Sequence, residues 1–197
     1  MFAIAANDRF APFSIVAVSD AGRPEPTWRT MFGWPADDPR TIPLTARSRA
    51  QRKIWAARMD QAVCGSQRPV LLVADGLGCA ASAWWGRLSP SDYVSRIAGA
   101  LLFAPRGHEP AGDGDPDLFA SPPAPLPFPS VVIQPRDTAA RVDTAIATWG
   151  SRIVEGHRDR HVARETGAWR QAQRLFLRMT QQVAAHEVDR AKALIGR

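Results

Sequence analysis

Lysine is almost missing from this 197-residue chain: only Lys53 and Lys192 occur, and the rest of the basic charge is arginine. The arginines run through every segment instead of gathering in one. The basic stretch 152–164 is interrupted by Glu155 and Asp159. A net charge of +6 therefore comes without the clustering that releases counterions from a phosphate backbone, and no nucleic-acid partner is expected. Cysteine is equally scarce. Cys64 and Cys79 have no His or Cys at metal-ligand spacing, which argues against a disulfide framework and a zinc site. Free thiols in a reducing compartment, no metal and no cofactor are the expectation. Long apolar runs are missing too, since no eighteen uncharged apolar residues stand together, and the opening MFAIAANDRF has no basic segment ahead of a short apolar run. These gaps point to a soluble cytoplasmic protein with no membrane partner. No internal repeat occurs.

What is present suits a globular α/β domain. Hydrophobic residues are 45% and charged residues 22% of the chain, within the ordinary globular range. Its length allows one domain over 1–197 with an amino-terminal extension at 1–12. Apolar runs at 13–18, 70–74 and 97–104 read as strands buried on both faces, 131–133 and 152–154 as further strands, and 42–44 as a short extended piece. A polar turn over 19–26 follows the first. Helical spacing marks 48–63, with Ile54, Trp55, Met59, Ala62 and Val63 on its packing face; further helices are expected at 79–85, 138–149 and from 168 onward. Gly, Pro and Asp make 105–128 a long loop, of the kind that is functional or mobile. Strands alternating with helices predict a mostly parallel sheet of five or six strands, helices on both faces and no large cap domain.

The segment joining the 70–74 strand to the next helix carries the chemical signal. A nucleophile elbow needs small residues two positions before and after its apex, so that a tight turn can lift one side chain above the sheet. Ala74, Asp75, Gly76, Leu77 and Gly78 supply both small flanks, and the apex is glycine.

Here the chain resembles the small serine hydrolase family of the α/β-hydrolase superfamily, the group of retinoblastoma-binding protein 9 and the YdeN-like proteins. Its members typically read LVAHSLGC at the elbow, against Leu72, Val73, Ala74, Asp75, Gly76, Leu77, Gly78 and Cys79 here. The family's serine thus falls on Gly76 and its usual histidine on Asp75. A strand ending in APP is matched by 101–105, and a phenylalanine followed by LPFPS by Phe119 and by Leu126, Pro127, Phe128, Pro129 and Ser130. The resemblance places the triad aspartate on Asp137. The family's WGS and GHIN-x-x-SG-x-x-W stretches fall on Trp149, Gly150 and Ser151, then on His161, Gly167 and Trp169, which makes His161 the triad histidine. Leu77 would supply one backbone donor of the oxyanion hole. The usual PGWGGS…HW region instead reads Ser19, Asp20, Ala21, Gly22 and Arg23, then Thr27 and Trp28, so the second donor departs from the pattern.

Without a hydroxyl at position 76 the resemblance implies an α/β hydrolase fold with its Asp and His retained and its nucleophile site vacant. Deliberate removal of a serine would also give glycine, but the companion change at Asp75 points to divergence. Asp75 could itself serve as the nucleophile, as elbow aspartates do in some hydrolases, but centring the turn there would put Leu77 at the tightly packed second flank. Asp137 also suits a helix N-cap. His108, His157 and His186 have no partner pattern. Cys79, Trp84 and Trp85 read as core packing. The expected activity is binding of a small molecule or a protein by a disabled hydrolase, as a monomer or homodimer. The alternative is a hydrolase of ester-type bonds that uses Asp75, or a water activated by His161 and Asp137.

Overall fold

In the computed structural model, residues 13–20, 40–106, 117–135 and 147–156 are described. They form β1 (Ser14–Asp20), β2 (Arg40–Leu44), α1 (Arg49–Cys64), β3 (Val70–Asp75), α2 (Leu77–Leu88), α3 (Ser91–Val94), β4 (Ile97–Phe103), β5 (Ser130–Pro135) and β6 (Arg152–Gly156). The six strands make one sheet in the order β2-β1-β3-β4-β5-β6, with every neighbouring pair parallel. The order reverses between β1 and β3. In an open parallel sheet a ligand crevice lies outside the carboxyl ends of the strands at such a reversal, and here that is where Asp20 and Asp75 end their strands.

β3 and β4 are continuous apolar runs because parallel strands are covered on both faces; from Val70 to Ala74 every residue has 0% exposure. β2 is different. Its exposure alternates, and it tolerates Pro43 because among the described strands it is an edge.

α1 starts on Ser48, whose hydroxyl accepts the Gln51 N–H at 3.3 Å, while Gln51 Oε1 accepts the Arg47 N–H at 2.8 Å. Two amide donors at the helix start are satisfied by this exchange. Trp55, Met59, Ala62 and Val63 are buried as expected, but Ile54 is 59% exposed. A helix turns about 100° per residue, so Ile54 and Trp55 cannot share one face, and the larger indole takes the core. The Trp85 indole N–H donates to Asp60 Oδ1 at 2.8 Å, which fixes α1 and α2 side by side on one face of the sheet.

α2 begins at Leu77, two residues earlier than expected, and the single turn α3 was not legible in the pattern. The described part of the 105–128 segment has no helix or strand, as its composition suggests, but it is anchored. The Asp117 carbonyl accepts the Ala120 N–H at 2.9 Å, and Leu118, Phe119, Leu126 and Phe128 are buried. Arg52 Nη1 donates to the Leu118 carbonyl, while Arg87 donates to Ser121 Oγ at 2.7 Å and to the Ala124 carbonyl. The helices expected at 138–149, apart from its end, and from 168 onward lie outside the described residues. So do His108, His157 and His186.

Candidate active site

β3 ends at Asp75, α2 starts at Leu77, and Gly76 is the whole connection. Its backbone has φ 58° and ψ −120°, a combination that strains any residue carrying a Cβ and that glycine accepts freely. Three hydrogen bonds fix the turn. The Gly76 N–H donates to the Phe103 carbonyl at 3.0 Å, and the Gly76 carbonyl accepts from Cys79 at 3.3 Å and from Arg106 at 3.1 Å. To reach it, the chain leaving β4 bends through Ala104 at φ 41°, an uncommon left-handed residue.

The second small flank has a steric cause. A Cβ on Gly78 would lie 2.8 Å from the Val18 carbonyl oxygen, so only glycine lets α2 settle this close to β1. Gly78→Ala must push helix and strand apart. Its expected cost is about 1–3 kcal/mol, read as a lower urea midpoint with an unchanged slope. The turn is therefore centred on Gly76, whereas Asp75 is the last strand residue and stands opposite Phe103 in the β3–β4 register.

The sequence model of the family described as serine hydrolase matches residues 24–178. The chain belongs to the serine hydrolase family. Among solved structures it is similar to a YdeN-like hydrolase of Pectobacterium atrosepticum, with TM-score 0.59 and 16% identity over 89% of this chain and 95% of that one. It is also similar to the Vlm2 thioesterase domain, with TM-score 0.52 and 12% identity over 82% and 90% of the two chains. A third likeness comes from work on LipS and LipT, two metagenome-derived lipolytic enzymes, with TM-score 0.50 and 14% identity over 86% and 95%. At these identities the likeness is one of fold, and the fold is that of an α/β hydrolase. No curated protein matches the chain.

Within this family member, Gly76, Leu77 and Asp75 lie together at the elbow, while Asp137 and His161 are outside the described residues, as are Arg23, Thr27 and Trp28. Leu77 is the first residue of α2, so its N–H has no acceptor four residues back in the helix. Among the described residues no group of three His, Cys, Asp or Glu side chains could hold a metal. No helix among them is long and apolar enough to cross a membrane.

Cys79 is the one described thiol close to the elbow. It is fully buried, with Sγ 3.5 Å from the Phe103 carbonyl oxygen. Burial first, and the charge of Asp75 second, push its pKa well above the ordinary thiol range, so it is held as an unreactive thiol. The unfolded chain then loses this proton before the folded one does. Its contribution to stability is complete below the ordinary thiol pKa and falls as pH rises above it, at up to about 1.4 kcal/mol per pH unit. Urea melts between pH 7 and pH 10 should show that decline, and Cys79→Ala should make it shallower.

Trp85 is core, 1% exposed. Trp84 is half-buried, meets Phe119 edge-on at 6.1 Å and carries the Arg52 guanidinium 4.4 Å above its ring. Together with Trp55, 5.9 Å from Phe119 on its other side, these residues clamp 117–119 against α1 and α2. That anchoring could not be read from the Pro-rich composition. Its signal was the isolated Leu118–Phe119 pair.

Proposed function

We propose that this chain is a catalytically disabled member of the serine hydrolase family that binds a small molecule or a protein at the elbow without turning it over. One observation carries the reading: the residue at the apex between β3 and α2 is glycine, which offers no oxygen to attack a carbonyl. Loss of the triad nucleophile costs on the order of a millionfold in rate in comparable enzymes. In this reading His161 and Asp137 keep their places as the family's imidazole and carboxylate, and the Leu77 N–H still faces the carbonyl oxygen of a bound ester.

Short-chain p-nitrophenyl esters test both halves of the proposal. Binding is expected to raise the melting temperature in a concentration-dependent way, with nitrophenolate released no faster than in buffer. Release well above the buffer rate that collapses in Asp75→Asn would instead establish Asp75 as nucleophile. Release abolished by a His161→Ala change alone would establish an activated water.

A further inference from the structure

The outward face of α1 is built unlike a solvated helix face. Ala50, Ile54, Ala57 and Gln61 stand at helical spacing on it and all are exposed, with Ile54 at 59%. Arg49 and Lys53 border this stripe on one side and Arg58 on the other, and they too are exposed. The helix's one acid, Asp60, is half-buried and occupied with the Trp85 indole, so α1 itself places no acid on this rim. Arg47 and Arg68 extend the same charge beyond either end of the helix.

Helix stability does not account for this arrangement. The positive end of the helix dipole favours acids in the first turn, and α1 has none there while carrying Arg49. Lys53 and Arg58 have no acid on the outward face to pair with. An exposed aliphatic knob ringed by cations is the complement of an aliphatic groove or stripe ringed by carboxylates.

We infer that the outer face of α1 is a docking surface for an acidic protein partner, which buries Ile54 in an apolar seat and sets carboxylates against Lys53 and Arg58. The surface belongs to α1 and includes no residue of the elbow, so it stands or falls separately from the vacant nucleophile site. Charge reversal at its rim should slow association and make it less sensitive to salt, whereas a change at Ile54 should speed dissociation.

The test titrates the full chain into a labelled eighteen-residue helical peptide with leucines at helical spacing flanked by glutamates, followed by fluorescence anisotropy. Polyglutamate of equal charge, phosphatidylserine-containing vesicles and single-stranded DNA are run in parallel. Saturable, salt-sensitive binding of the leucine–glutamate peptide is expected, weakened at least tenfold by Ile54→Asp and at least tenfold by Lys53→Glu with Arg58→Glu. Both variants should keep the melting temperature within a few degrees, because the three side chains are exposed. The inference is overturned if the peptide does not bind. It is equally overturned if Ile54→Asp leaves the affinity unchanged or polyglutamate binds as tightly, since charge alone would then be at work. Tighter binding to the vesicles or the DNA would overturn it as well.

Discussion

Gly76→Ser is expected to create a site that reacts with a fluorophosphonate, giving one adduct per chain on the introduced serine, and to lower stability by about 1–3 kcal/mol. The stability loss follows from the backbone at this position, φ 58° and ψ −120°, where a Cβ is strained on the order of that amount. The gain follows from the proposal that His161 and Asp137 keep the family's positions, so that only the attacking oxygen is lacking. Gly76→Ala separates the two effects: it should match the serine variant in urea midpoint and take up no probe. A serine variant that is destabilised but inert would place the defect beyond position 76.

Trp85→Ala is the change expected to cost the fold most. The indole is one of the two largest fully buried side chains, 1% exposed, and its truncation opens a cavity between α1 and α2 and removes the partner of Asp60. Such truncations cost about 3–5 kcal/mol. In a domain of this size each kcal/mol shifts the melting temperature by roughly 2–4 °C, so a fall of about 6–20 °C is expected by calorimetry. Trp85→Phe keeps most of the volume and loses only the hydrogen bond, and it should fall well short of that. Equal losses for the two variants would mean that the bond to Asp60, not the packing, holds the helices together.

Much of the sheet was legible because its central strands β3 and β4 are buried on both faces. The runs at 70–74 and 97–104 leave no alternation to misread, and they match β3 and β4 closely. The elbow was legible for a related reason. Two small residues flanking a turn between an apolar strand and a helix have few other uses, and the contact of Gly78 with the Val18 carbonyl is the steric demand that the pattern encodes.

Other features depend on partners that no local pattern specifies. Ile54 and Trp55 are neighbours of similar hydropathy, and only the packing of α1 on α2 decides which is buried. The 117–128 segment has the composition of a free loop, yet Phe128 presses on α2 at Gly86, where a Cβ would lie 2.8 Å from the ring. Arg52 and Arg87 hold its carbonyls from two helices. These are contacts between residues 37 to 66 positions apart. The single turn α3, capped by Pro90, is too short to leave a periodicity. Likewise Ala104 at φ 41° has no sequence signal, because alanine seldom adopts that conformation.

Whether any serine of the unsubstituted protein is an activated nucleophile is decided most directly by intact-mass spectrometry after incubation with an excess of a fluorophosphonate. An unchanged mass is predicted, with a trypsin control fully labelled in the same tube. A stoichiometric adduct on the folded chain, mapped to any serine, would show that the protein has an activated nucleophile other than the residue at the elbow's apex.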